Sequence, residues 1–593
     1  MLLSQTVPQS SSLDSTLPKI FYQVSMSQPT SHLFEVTITI DNWQERQLNL
    51  KMPVWTPGSY LVREYSRNLQ DFTAQNSQNK TRLIFQKVSK NHWQIETETA
   101  TSITIFYRIY ARELSVRTNH LDDSHGYFNG AALFLYISGL EFLPSILEII
   151  PPQTDWKITT SLEPLEGKKN TFLVPDFDTL VDSPVEVGTH QCYEFQVRKK
   201  IHRLAVWGKG NIDAEKVIRD TEKIIEVEAD LYGGLPYDNY VFLLHLSNNG
   251  FGGLEHKNSC TLNYSRFGFR DPEKYNRFIQ LVAHEFFHLW NVKRIRPKAL
   301  EKFDYEQENY TPSLWFSEGT TSYYDLLIPL WAGLYNSKAF LDNLSKEITR
   351  FLVTPGREVQ PLAESSFDAW IKLYRRDTNS DNSQMSYYLK GELVSLLLDL
   401  LIRDRTQNQR SLDDVMRQMW EKFGKTEIGF TENQLKEVIE SVAERDLTDF
   451  FQDYLYTTQE LPFNDYLEPF GLRLQAVQED NPIPHTGMRV QSENGKDIIK
   501  FVAANSPAQI AGISPDDELL ALNGIRVTAE QLPERLKDYQ ANDMIELSLF
   551  HQDVLKTVQL QLALSQPSRY EVVRIPNPSD RQVQNIVGWL GSN

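Results

Sequence analysis

Apolar and polar residues alternate in short runs through the first third of the chain, as in "HLFEVTITI", "TSITIFYRIYA" and "YEFQVRKKI". A period of two marks strands with one buried face, and turn signals such as "TPGS" and "LEGKKN" separate the runs. The pattern predicts a mainly β domain over residues 19–205, preceded by a Ser-, Gln- and Pro-rich disordered stretch over 1–18. Near 213 the period changes. "DAEKVIRDTEKIIEVEADLYG" spaces its apolar positions for a helix and ends on glycine. Longer helical segments follow between 272 and 457, among them "PEKYNRFIQLVAHEFFHLWNV" and "KGELVSLLLDLLIRDR". Past "LPFNDYLEPFGL" short β-like runs return, and no internal repeat is present.

At 593 residues the chain is too long for one core, so three or more domains are expected. Its net charge of −18 excludes nucleic acid and anionic membranes as partners. The one basic cluster, "RKKIHR" at 198–203, reads as a solvated strand end or linker. Two cysteines, Cys192 and Cys260, are too few for a disulfide framework or a thiolate metal site. The N-terminus lacks a signal-peptide pattern, and no apolar run approaches a membrane span, so a soluble cytoplasmic protein is expected.

The chemistry concentrates in "VAHEFFHLWN", 282–291. On a helix, residues i and i+4 share a face, so His284 and His288 can reach one metal ion. Asp271 and Pro272 supply the N-cap and first position of that helix, which would carry the pair near its third and fourth turns. Glu285 projects about 100° from His284, placed to act on water without ligating. With 12 histidines in the chain, chance supplies only ~0.02 copies of this pattern. A third ligand is found in "LWFSEGTTSYYDLL", where Glu318 lies in an apolar-aromatic segment of helical pattern. A carboxylate there must be hydrogen-bonded, paired or metal-bound. Two His and one Glu form the set of a catalytic zinc site with an open fourth position.

Here the sequence resembles the glycyl aminopeptidase family of zinc peptidases, gluzincins that carry a PDZ domain after the catalytic domain. The matching segments are "HEFFHLWNVKRIRP", "LWFSEGTTSYY", "GFGGLEHKNS" and "MPVWTPGSYLVREYSRN". The 30 positions from His288 to Glu318 look like the longer inter-ligand loop of this family. The resemblance implies that "GFGGLEHKNS" is the exopeptidase motif of the wider clan. Glu255 would hold the substrate's α-amino group, and Gly252 and Gly253 would let its backbone approach; Leu254 and His256 depart from the clan pattern. In "YYLKGELVSLLL" it implies a transition-state tyrosine, Tyr388, with Tyr387 as the competing choice. Asn291, Lys293, Arg294 and Arg296 fit a second shell or a helix C-terminus equally well. Trp55 and Tyr60 could reach the cleft or simply build a corner turn. "NSPAQIAGISPDDELLALNGIRV", 505–527, resembles a PDZ domain, with Asp516 a departure and "HTGMRV", 485–490, as the loop for a peptide carboxylate.

The expected fold is therefore multidomain α+β. It comprises an N-terminal β-sandwich-like domain at 19–205, a thermolysin-like zinc peptidase domain with added helices at 206–460, a PDZ domain at 461–565, and a tail at 566–593. The expected function is a Zn2+-dependent aminopeptidase acting on peptides with a free N-terminus, and the resemblance implies preference for Gly or Ala. Two rivals stand beside it: an endopeptidase on the same zinc site, and a PDZ-centred peptide-binding or quality-control scaffold with structural zinc. Glu285 argues against the scaffold, since a structural site needs no base. The residues fix neither an oligomeric state nor the PDZ ligand.

Overall fold

The computed structural model describes residues 17–478 and 481–591, in two compact units. One comprises Met1–Leu289 with Lys302–Asn309, the other Trp290–Glu301 with Tyr310–Asn593. Residues 1–16, nearly all of the stretch expected to be disordered, lie outside the described residues, and the first strand begins at Lys19.

In the first unit a seven-stranded sheet runs in the order Glu163–Pro164, Thr171–Val174, Ser145–Ile150, Lys19–Ser25, Leu33–Asp41, Ser102–Tyr110 and Leu69–Asn76. The alternation in the sequence sets its register. Phe34, Val36, Ile38 and Ile40 pair with Ile109, Tyr107, Ile105 and Ile103, and all eight are buried. They share a core with Leu48, Leu50, Trp93 and Ile95 of a second, four-stranded sheet. Each fully buried aliphatic side chain contributes roughly 1.5–3 kcal/mol, which is what holds the two sheets face to face. A third sheet joins Lys157–Thr159, Val185–Gly188, His125–Phe128 and His120–Leu121.

The sheet expected to open the domain at 206 begins earlier. Its order is Gln191–Val197, Lys200–Trp207, Asn239–Ser247, Ser259–Ser265 and, at the edge, Phe251–Glu255. The boundary expected at 205/206 thus falls inside a strand. Gln191–Val197 and Lys200–Trp207 form a hairpin that alternates like the preceding domain, while Lys200–Trp207 is also parallel to Asn239–Ser247. The helix Ala214–Tyr232 makes the crossover between these parallel strands. The "RKKIHR" cluster is the hairpin turn, with Arg198 and Lys199 at positive φ. Its cations are matched by acids: Arg198 pairs with Glu226 at 2.7 Å and Lys200 with Asp238 at 2.8 Å.

The second unit is built on helices, chief among them Thr320–Trp331, Ser337–Leu352 and the almost entirely buried Tyr387–Thr406. A smaller β unit within it pairs Met488–Glu493, Lys496–Val502, Glu518–Leu522, Met544–His551 and Val554–Gln561 around its own core, including Ile499, Leu522, Ile545 and Leu560. Asn382 bridges the helices to this unit, donating to the Val502 carbonyl at 2.9 Å and accepting from Ala504 N–H at 2.9 Å.

The segment expected as a tail differs from that expectation. Tyr570–Arg574 pairs with Leu472–Ala476, and Asp580–Leu590 is a helix with a Ser579–Gln582 capping box. Its Trp589 is buried and donates to the Tyr323 hydroxyl at 2.9 Å, which donates to Asp399 at 2.6 Å. Among the described residues no helix is long and apolar enough to cross a membrane, and both cysteines are free.

Candidate active site

The ligand helix spans Pro272–Phe287, and the Asp271 side chain caps it by accepting from Lys274 N–H at 3.0 Å, as its sequence predicts. It is shorter at its end than expected. His284 lies in the last turn, and His288 is the C-cap, still with right-handed helical φ and ψ. The two imidazoles therefore keep their shared face, with ring centroids 4.6 Å apart and planes nearly perpendicular.

Glu318 lies in a π-helical turn, Trp315–Gly319, that leads into Thr320–Trp331, and it is 1% exposed. Two things fix this turn. Asn291 donates its Nδ2 to the carbonyls of Phe316 and Ser317 and to the Thr321 hydroxyl, at 2.9, 3.2 and 3.2 Å. The turn also rests backbone to backbone on the helix Tyr387–Thr406: a Cβ at Gly319 would lie 2.5 Å from Gly391 Cα. The glycines of "SEG" and "YLKG" therefore set how closely these two segments approach. One ligand atom each from His284, His288 and Glu318 lies within 4.8 Å of the others.

Glu285 is 5% exposed and faces the edge strand Phe251–Glu255. A Cβ at Gly253 would lie 2.1 Å from Glu285 Oε1, so a larger residue there would have to push this carboxylate aside. At the end of that strand Glu255 is 3% exposed, and its Oε1 has no hydrogen-bond partner among the described residues. Gly58, at φ +86°, packs against this carboxylate so closely that a Cβ would lie 2.5 Å from Oε1. The "WTPGSY" segment thus reaches the site through its glycine. Trp55 is buried elsewhere, donating to the Asp304 carbonyl at 2.7 Å, and Tyr60 is buried as well.

Tyr388 stacks on Tyr387 at 4.7 Å, and both hydroxyls lie near that of Tyr374, at 3.1 and 3.3 Å. Burial pushes the Tyr388 phenol well above its ordinary range, and the negative charge of Glu318 adds to the shift. The phenol accordingly keeps its proton and remains a donor at neutral pH. Lys390 is buried, is lowered to about 8 by desolvation, and donates to the Thr457 carbonyl. Arg296 pairs with Glu427 at 3.3 Å, while Lys293 and Arg294 are buried beside Val292, whose φ of 143° is strained for a β-branched residue.

Four residues here were not singled out from sequence: Gly58, Arg117, Glu228 and Tyr374. Arg117 donates to the Gly253 carbonyl at 3.3 Å. Glu228, fully buried on Ala214–Tyr232, is pushed well above the usual carboxylate range by burial, and His284 opposes that shift. Its position on the buried face of an amphipathic helix was the available signal, since a carboxylate there needs a partner.

Residues 21–189 match the peptidase M61 N-terminal domain, and residues 277–394 match the M61 glycyl aminopeptidase family. No curated protein matches the sequence. Among solved structures, the aminopeptidase N family protein from Idiomarina loihiensis superposes with a TM-score of 0.91 at 31% identity, covering 96% of this chain and 100% of that one. The M1 zinc metallopeptidase from Deinococcus radiodurans aligns at 11% identity with a TM-score of 0.46, over 75% of this chain and 95% of that one. Through its likeness to the Idiomarina protein along almost the full length of both chains, this chain belongs to the same aminopeptidase family and is a peptidase with M61 N-terminal and M61 glycyl aminopeptidase domains.

Proposed function

We propose that this protein is a zinc-dependent aminopeptidase that removes single residues, small ones such as Gly and Ala above all, from peptides with a free N-terminus. The observation that carries the reading is the convergence of His284, His288 and Glu318 with Glu285 seated against the edge strand that ends at Glu255. Two imidazoles and one carboxylate fit zinc as catalytic sites hold it, with a fourth position open. Zinc held there supplies Lewis acidity toward the scissile carbonyl and toward water.

The chain's own residues do the rest. Glu285 accepts the proton of the attacking water and passes it to the leaving amine. The Tyr388 hydroxyl, a retained donor, supports the oxyanion as it develops. Of the two adjacent tyrosines, Tyr388 is favoured because Tyr387 is completely buried whereas Tyr388 keeps some exposure. Gly252 and Gly253 let an extended peptide lie along the sheet edge. Glu255, with a buried oxygen awaiting a donor, takes the N-terminal ammonium and so sets the register to one residue.

The small β unit, 488–561, is proposed to be a PDZ-type module that takes a peptide as an added strand. Its five main strands and the short helices Pro507–Ile510 and Leu532–Leu536 support this reading.

Product analysis by mass spectrometry tests the activity, using short peptides with Gly, Ala, Leu or Arg first, free or N-acetylated, with and without a chelator. Chelator-sensitive loss of one residue from free peptides only is expected. Internal cleavage of acetylated peptides would remove Glu255 from its role and return the endopeptidase reading. Glu255→Ala should lower kcat/KM on free peptides by about 10–150-fold, the worth of a charged hydrogen bond.

A further inference from the structure

The turn between His120–Leu121 and His125–Phe128 reads His-Leu-Asp-Asp-Ser-His and takes no part in the chemistry above. One ligand atom each from His120, Asp122 and His125 lies within 4.8 Å of the others. The hydrogen bonds around them decide which atoms are available. His120 Nδ1 lies 2.9 Å from the Arg112 carbonyl oxygen, which can only accept, so this nitrogen carries a proton. His120 Nε2 faces Asp122 Oδ2 at 3.2 Å. The other Asp122 oxygen, Oδ1, is engaged by the N–H groups of Ser124 and His125 at 2.8 and 3.1 Å and by the Ser124 hydroxyl at 2.7 Å.

His125 is completely buried and stacks on Trp207 with centroids 3.6 Å apart. Its Nδ1 lies 2.7 Å from Glu186 Oε1, and the other oxygen of Glu186 takes His245 Nε2 at 2.9 Å. With Nδ1 so committed, Nε2 is the nitrogen left to bind, and it is buried with no hydrogen-bond partner among the described residues. A doubly protonated His120 would account for the His120–Asp122 contact alone. It would leave a buried ring nitrogen of His125 unsatisfied beside it, which is costly.

A cation satisfies both. A carbonyl oxygen behind one imidazole and a carboxylate behind the other is the arrangement that fixes tautomer and orientation in metal-ligating histidines. We propose that His120 Nε2, Asp122 Oδ2 and His125 Nε2 bind a divalent transition-metal ion of the zinc class, at a site of their own on the N-terminal β domain. Two imidazoles and one carboxylate suit zinc, cobalt or nickel. The His120 and Asp122 side chains are 12% and 30% exposed, which gives the ion a path from solvent and leaves a position for water.

The test is metal stoichiometry of the full chain, stripped with a chelator and titrated with Zn2+ alone against a chromophoric competitor. Two equivalents are expected for the wild type, one for His120→Ala, and one for the His284→Ala/His288→Ala double variant. All three substitutions together should leave none. Should His120→Ala fail to fold, Asp122→Asn keeps the oxygen that caps the turn, and it should weaken the same equivalent by at least tenfold. A single equivalent in the wild type, or two undiminished equivalents in His120→Ala, overturns the proposal. Loss of both equivalents in a folded His284/His288 double variant does the same.

Discussion

Two of the histidine–carboxylate clusters among the described residues, one at the end of a helix and one in a β-turn, differ in what surrounds their ligands. Beside His284 and His288 stands Glu285, a carboxylate outside the ligand set, with the glycine backbone of an edge strand against it. Around His120 and His125 the carboxylates are already occupied. Asp122 Oδ1 caps the turn, and Glu186 is shared by two imidazoles. The helix cluster stands beside Glu285 and the glycine backbone of an edge strand, whereas the carboxylates of the turn are engaged by backbone N–H groups and imidazoles. The same donor types thus sit in two settings, and the proposed chemistry belongs to the one with a further carboxylate beside it.

The sharpest way to break this contrast is Glu285→Gln. We expect kcat to fall by about 10²–10⁴-fold with zinc stoichiometry unchanged. Retained turnover would make Glu285 as idle as the carboxylates of the turn. Next comes Gly253→Ala, whose Cβ collides with Glu285 at 2.1 Å. Displacement on the ångström scale should lower kcat/KM by about 10²-fold. An unaltered rate would show that the edge strand does not position Glu285. Glu228→Gln, which removes the buried acid whose charge acts on His284, should weaken zinc at the helix cluster by up to about tenfold while sparing the turn, as read by chelator competition. Equal weakening at both would erase the distinction. The smallest effect is expected of Ser124→Ala, which removes one of three hydrogen bonds to Asp122 Oδ1. One such bond contributes roughly 0.5–1.5 kcal/mol, so affinity at the turn should fall by no more than about tenfold. A larger loss would mean that the hydroxyl, not the backbone, holds the carboxylate.

What could be read from the sequence follows the range of the interactions. His284, Glu285 and His288 are legible because helical spacing is local, and Asp271-Pro272 announces where that helix starts. Glu318 stands out in the sequence because an acid in an aromatic run needs a partner, and the structure brings it near the two imidazoles. Gly58 against Glu255 and Arg117 on Gly253 could not be found this way, since each contact joins segments far apart in the chain with no periodicity linking them. The early start of the catalytic sheet was hidden because a hairpin strand alternates alike whichever sheet it joins. The C-terminal helix carries a local signal of its own, since Ser579 and Gln582 form a capping box ahead of an amphipathic run. The turn cluster is also legible as His-x-Asp-x-x-His, yet only the structure shows the hydrogen bonds that leave His125 Nε2 without a partner among the described residues.

The pairing of Leu472–Ala476 with Tyr570–Arg574 has a consequence for engineering. Adjoining strands lie about 4.8 Å apart, so the chain enters and leaves the small β unit at almost the same place. That geometry makes the unit a cassette. A short glycine turn from Ala476 to Tyr570 would close the strands into a hairpin and delete the insert. The same two splice points would accept a foreign domain with neighbouring ends, with every residue of the proposed site left in place.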